Sequence, residues 1–173
     1  MKTLIMKTDS YRIFLLVFLG LLTAFGPFVT DMYLPALPSM VDLFGTNTSM
    51  VQLSLTSCMI GLAAGQLLFG PMSDRYGRKP VLLWTLLLFI LSTLLCLFSA
   101  DIYLFVIFRL FQGIAAAGSI VIARSISTDL FSGHELARIL AIVGSINGIA
   151  PVLAPVLGGA MAEAGGWENI FAV

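Results

Sequence analysis

The chain has 173 residues, 59% hydrophobic and only 10% charged, against roughly 25% charged in an ordinary soluble domain. Its formal net charge is zero, which excludes the basic field of a nucleic-acid binder and any acidic tail. So apolar a composition suits a surface that meets lipid, and an all-α chain crossing a bilayer at least five times is expected.

A spanning helix needs about 20 predominantly apolar residues, and the gaps between charges mark the spans. No charge falls between Arg12 and Asp31, giving a first span over 13–32 with Asp31 near its far end. A cleaved signal peptide is the alternative, since Lys2, Lys7 and Arg12 precede the run. No small-x-small cleavage site comes after it, however; the run ends in Asp31-Met-Tyr-Leu-Pro35. The second span is read over 50–69, and its Gly61-x-x-x-Gly65 as packing. The third runs over 81–98 and the fourth over 103–122, the latter carrying Arg109. The fifth covers 138–161, and a sixth begins after Trp167.

Lysine and arginine orient the bundle. Lys2, Lys7 and Arg12 precede span 1, Arg75, Arg78 and Lys79 follow span 2, and Arg124 and Arg138 follow span 4. The turns after spans 1, 3 and 5 carry only Asp42, Asp101, Glu163 and Glu168. By the positive-inside rule the amino terminus is cytoplasmic. Cys58 and Cys96 sit in apolar runs and read as buried thiols, with a disulfide between them as the alternative, and His134 has no metal-ligating partner at useful spacing. Tyr33, Tyr103, Trp84 and Trp167 lie near predicted span ends, where amphipathic rings favour the interface.

Between spans 2 and 3 the chain reads Gly70-Pro-Met-Ser-Asp74-Arg75-Tyr-Gly77-Arg78-Lys79. A tight hairpin explains the types: Gly70 for close backbone approach, Gly77 for positive φ, Asp74 to cap a helix or pair with arginine. The pattern resembles the signature loop of the major facilitator superfamily. Span 4 adds Arg109-Leu-Phe-Gln112-Gly113, similar to that family's R-x-x-Q-G segment. Span 5 adds Gly144, Gly148, Pro151, Pro155, Gly158 and Gly159, resembling the G-P-x-x-G-G segment of drug/proton antiporters, with Ala154 where glycine is usual. With Asp31-Met-Tyr-Leu-Pro35-Ala-Leu-Pro38, these segments resemble the Bcr/CflA drug-resistance branch, over its amino-terminal half only.

Arg109, Gln112, Gly113 and Ala116 share one helix face. A charge in a span costs about 2.5–3.5 kcal/mol and usually faces the bundle interior. Arg109 sits about six residues, roughly 9 Å, from the outer end, so snorkelling is the alternative. Asp31 lies at comparable depth and is expected to pair with Arg109 or take part in proton-linked exchange, or instead to cap the outer end of helix 1. In span 5 the glycines and prolines make either a static close-packed interface or a hinge between rocking halves.

The resemblance implies a six-helix amino-terminal bundle with its sixth helix cut short, in a bacterial inner or plasma membrane. It implies a secondary transporter exporting small, mostly apolar compounds in exchange for protons, completed by a carboxy-terminal half or a second chain. Spans 1, 2, 4 and 5 would face that half, with span 3 at the periphery. No nucleophile–base pair or phosphate-cradling loop is present, so neither an enzyme nor a cofactor is expected. A facilitator for another small solute, or a non-transporting membrane fragment, stays open on the sequence alone.

Overall fold

A computed structural model of the chain describes residues 9–172, with side chains for 12–171. Lys2, Lys7 and Val173 lie outside the described residues. Helix α1 (Asp9–Asp31) is followed by a 3-10 turn (Leu34–Ala36) and the short α2 (Leu37–Leu43). Then come α3 (Thr48–Tyr76), α4 (Arg78–Leu97), α5 (Ile102–Leu130), α6 (Gly133–Gly165) and the five-residue α7 (Glu168–Ala172). Among the described residues, five segments are helical, long and apolar enough to cross a membrane.

These helices outrun the apolar spans. Helix α5 has 29 residues, about 44 Å of helix against roughly 30 Å of hydrocarbon. The surplus carries the polar ends, with Arg124 and Asp129 beyond the predicted stop. Side-chain caps set two of the starts. Asn47 accepts from Met50 N at 2.9 Å ahead of α3, and Asp101 from Tyr103 N at 3.2 Å ahead of α5.

The hairpin is tighter than the sequence led us to expect. Gly70 to Tyr76 is helical, and Gly77 alone separates α3 from α4, at φ +92°. Only glycine adopts that conformation readily, and Pro80 then falls in the first turn of α4, where no amide donor is needed. Gly70 has a different environment from the expected backbone contact, because a Cβ there meets nothing within 4 Å among the described residues.

Helix α5 is the spine of the bundle and packs on α1, α3 and α4, while α6 lies mainly along α1. Its run Ala115-Ala116-Ala117-Gly118-Ser119 is buried throughout. Small residues let the axes close up. A Cβ on Gly113 would strike the Cys58 carbonyl, and one on Gly61 the Leu110 carbonyl. At Gly65 it would lie 2.5 Å from Ile114 O and 2.7 Å from the Ala117 Cβ. Ser57 ties the same pair of helices by donating to Val106 O at 2.7 Å. Both cysteines are free and buried.

Helix α4 packs on α5 and leaves Leu83, Trp84, Leu87, Ile90 and Leu94 exposed. Such a face would be an aggregation liability in water and is ordinary against acyl chains. Trp84 and Tyr103 are exposed near helix ends. Tyr33 and Trp167, expected at the interface, are instead buried, packed with Phe105 and Phe171 in one aromatic cluster.

Candidate functional site

Three arrangements bring the chemistry-bearing residues together. The first centres on Arg109, whose stripe on α5 points inward: the side chain is 1% exposed, so it does not snorkel to an interface. One terminal nitrogen donates to Gln112 Oε1 at 2.7 Å and the other to Val29 O at 3.0 Å. Val29 lies in the last turn of α1, where carbonyls lack a helical donor and the helix dipole is negative. The guanidinium also sits 4.6 Å above the Tyr33 ring and 5.7 Å from that of Phe171. A helix terminus and two aromatic faces thus hold a charge that hydrocarbon would otherwise reject.

The network extends beyond the arginine. Gln112 Nε2 donates to Thr93 Oγ1 at 2.8 Å, reaching α4. Ser54 donates its one proton to Val51 O at 2.6 Å, so the Tyr33 hydroxyl donates to Ser54 Oγ at 2.7 Å. Four long helices therefore meet in one buried polar layer. Arg109 Nε has no hydrogen-bond partner among the described residues. Beside it lies a cavity of about 670 Å³, lined by aromatic and aliphatic side chains with Tyr33, Thr93, Arg109 and Gln112.

Asp31 takes no part in this layer. Its Oδ1 accepts from Thr30 Oγ1 at 2.8 Å, and no ion pair joins it to Arg109 among the described residues. The reason is angular: Val29 faces the arginine, and a residue two further on points about 200° round the helix.

The second arrangement is at the Gly77 hairpin. Arg78 donates from Nε to Asp129 Oδ2 at 2.8 Å and from Nη2 to Asp129 Oδ1 at 3.2 Å. Its remaining nitrogen reaches Asp74 Oδ1 and Ser73 Oγ, each at 2.6 Å. One guanidinium thus pins the end of α3 to the end of α5. Arg75 lies over the Tyr76 ring, and Lys79 is exposed. At the same end of the bundle Arg12 pairs with Glu135, tying α1 to α6.

The third is a cavity of about 500 Å³ bounded by α1, α3, α5 and α6. Thr23 and Pro27 come from α1, Gln66 from α3, Arg124 from α5, and Gly144 and Asn147 from α6. The small residues of α6 divide here. Gly158 packs on the Met32 carbonyl and a Cβ on Gly159 would lie 3.9 Å from the Pro35 Cβ, whereas a Cβ on Gly144 or Gly148 would meet nothing within 4 Å among the described residues. Pro151 and Pro155 lie inside the helix, beside exposed Ile149, Val152 and Val156.

Residues 16–173 match the Major Facilitator Superfamily, nearly the whole chain. The chain belongs to that superfamily. Among its relatives, the Uncharacterized MFS-type transporter YdgK of Bacillus subtilis (strain 168) is 40% identical over 168 residues, 96% of this chain and 42% of that one. The Chloramphenicol resistance protein of Pseudomonas aeruginosa is 35% identical, over 96% of this chain and 41% of its own. The Bicyclomycin resistance protein homolog of Haemophilus influenzae is 34% identical, over 96% and 42%. In fold the chain is similar to the proton:xylose symporter XylE, with a TM-score of 0.81 at 20% identity over 95% of this chain and 42% of that structure. The chain therefore spans about two fifths of the length of these facilitators.

Several residues of this facilitator bundle were not singled out by its sequence. Asp129 and Thr93 carry no motif and gain a role only through partners far along the chain. Arg124 served the sequence reading only to orient the bundle, and Asn147 stands between Gly144 and Gly148, yet nothing local placed the two in a shared cavity.

Proposed function

We propose that the chain is the amino-terminal half of a proton-coupled exporter of small, mostly apolar compounds working by alternating access. The observation that carries this reading is the cavity of about 500 Å³ bounded by α1, α3, α5 and α6. A concave, largely apolar space with a few polar groups suits small-molecule binding. The exposed α6 face beside it, with Gly144 and Gly148 open and two prolines permitting bending, suits contact with a second half that rocks against it. Relatives named for chloramphenicol and bicyclomycin resistance support export of drug-like compounds.

In this reading the amino terminus and the Gly77 hairpin are cytoplasmic, in a bacterial inner membrane. Arg78, clasping Asp74 and Asp129, biases the equilibrium between inward- and outward-facing states. Arg109 and Gln112 hold the wall between α1, α4 and α5, with Gly113 admitting the α3 backbone. Proton coupling runs through a carboxylate, Asp31 or one supplied by the other half.

The test is efflux of chloramphenicol from membrane vesicles under an imposed proton gradient, for the complete transporter and for this chain alone. Gradient-dependent efflux by the complete protein and none by the half is the expected result. Efflux that persists after the gradient is collapsed would rule out proton coupling, and equal efflux by the half alone would remove the need for a partner.

A further inference from the structure

The wall that this chain gives to the cavity between α1, α3, α5 and α6 carries a definite charge. Arg124 lines it, and among the described residues no acid does. The guanidinium is exposed to the cavity and enters no ion pair among the described residues. Three acids at this end of the bundle are already engaged: Asp74 and Asp129 by Arg78, and Glu135 by Arg12. Apolar walls from Ile120, Leu140 and Val143 lower the local dielectric and extend the reach of that positive charge.

Two residues that line the cavity, Thr23 and Asn147, carry acceptors in want of donors. Asn147 Oδ1 is buried and accepts no hydrogen bond among the described residues. Proline has no amide hydrogen, so Pro27 leaves the Thr23 carbonyl, and Pro151 the Asn147 carbonyl, without the helical donor four residues on. The Thr23 hydroxyl cannot supply the missing proton, because it donates to Gly20 O at 2.9 Å. A site with buried unpaired acceptors discriminates strongly for a ligand that brings donors.

We infer that this cavity selects by charge, taking neutral or anionic solutes that carry hydroxyl or amide N–H groups and rejecting permanent cations. The inference rests on the transport reading above and adds the substrate class to it. Hydroxyl and amide groups satisfy the orphaned acceptors, while a lone-pair-rich or negative group meets Arg124. A cation without N–H or O–H meets neither need and is repelled.

The experiment compares two probes on the complete transporter in lipid nanodiscs and in proteoliposomes. Chloramphenicol is neutral, with two hydroxyls and an amide N–H; tetraphenylphosphonium is a permanent cation with no such donor. Equilibrium dialysis should give chloramphenicol the tighter binding by at least about tenfold. Arg124→Glu should reverse that order, and Asn147→Leu should weaken chloramphenicol about fivefold to tenfold while leaving tetraphenylphosphonium unchanged. Should Arg124→Glu fail to fold, Arg124→Gln is expected to narrow the ratio in the same direction. Equal binding of the two probes by the unaltered protein, no binding of either, or a ratio indifferent to residue 124 overturns the inference. Gradient-driven uptake separates it from the reading beneath it. Selective binding without uptake sinks the exporter and keeps the selectivity; uptake of tetraphenylphosphonium does the reverse.

Discussion

Arg109 shows how far a single residue can be read before its surroundings are known. One charge in an apolar run, with Gln112 three residues on and Gly113 four on, was legible as a polar stripe facing inward. Its partners were not legible, because the main acceptor across the bundle is a backbone carbonyl, that of Val29, which has no sequence signature. Asp31, the acid of matching depth, was the more natural partner by charge, and helical angle alone turns it away. The guanidinium uses two nitrogens on two acceptors at once while stacking on Tyr33. A lysine ammonium keeps the charge but not the planar fork. Arg109→Lys in the complete transporter is therefore expected to lower efflux about tenfold or more at matched abundance, since charged hydrogen bonds are worth about 1.5–3 kcal/mol. Full activity of the lysine variant would show that charge alone suffices. Thr93→Val, which leaves Gln112 Nε2 without its acceptor, should cost less, about fivefold in the same assay for about 1 kcal/mol. A loss as large as that of Arg109→Lys would make the hydroxyl, not the guanidinium, the centre of the layer.

At the scale of the helices, the gaps between charges pointed to five long apolar helices, and the helices extend past the apolar spans read from those gaps. Hydropathy marks where hydrocarbon begins, whereas the helices continue for one or more polar turns in water. That is why Gly70 to Tyr76 is helix, and why positive φ within this hairpin falls to Gly77. Glycine was equally ambiguous, because its presence reads the same whether it admits a neighbouring backbone or faces open space. The structure separates the two cases. Gly61, Gly65 and Gly113 seat α3 against α5, and Gly158 seats α6 on the end of α1, whereas Gly144 and Gly148 are open. Gly113→Ala should accordingly destabilise by about 1–3 kcal/mol, the range for overpacking, and lower the thermal midpoint of the purified protein. Gly144→Ala should leave that midpoint unchanged or slightly raised, since alanine is the better helix former. Equal midpoints for the two variants would mean that α3 and α5 are less closely seated than their glycines require.

At the scale of the whole molecule, the bundle has two unlike ends. One carries Arg12, Arg75, Arg78, Lys79, Arg124 and Arg138, with ion pairs that tie α1 to α6 and the start of α4 to both α3 and α5. The Asp129 and Arg78 side chains are half and one-quarter exposed, so their pair is worth about 1 kcal/mol or less to stability. Asp129→Asn should therefore leave the thermal midpoint nearly unchanged yet slow efflux, because small energies suffice to bias two states that lie close together. Normal efflux by the variant would reduce the clasp to decoration. The opposite end has Asp42, Asp101, Glu163 and Glu168 in or beside its turns and, among the described residues, no lysine or arginine in them. That sorting of charge carries the proposed orientation, with the basic end cytoplasmic, because cationic loops are retained on that side. The two ends can be told apart with an impermeant thiol reagent. Cys58 and Cys96 are fully buried, so replacing both with alanine removes background at the cost of two small internal voids. Single cysteines are then introduced at position 46, in the turn before α3, and at position 76, where Tyr76 is 60% exposed at the basic end. In intact cells Thr46→Cys should label and Tyr76→Cys should not; in inverted vesicles the pattern should reverse. Labelling of Tyr76→Cys from outside intact cells would turn the bundle over and put the Arg78 clasp on the outer face, away from the side where an exporter collects its cargo.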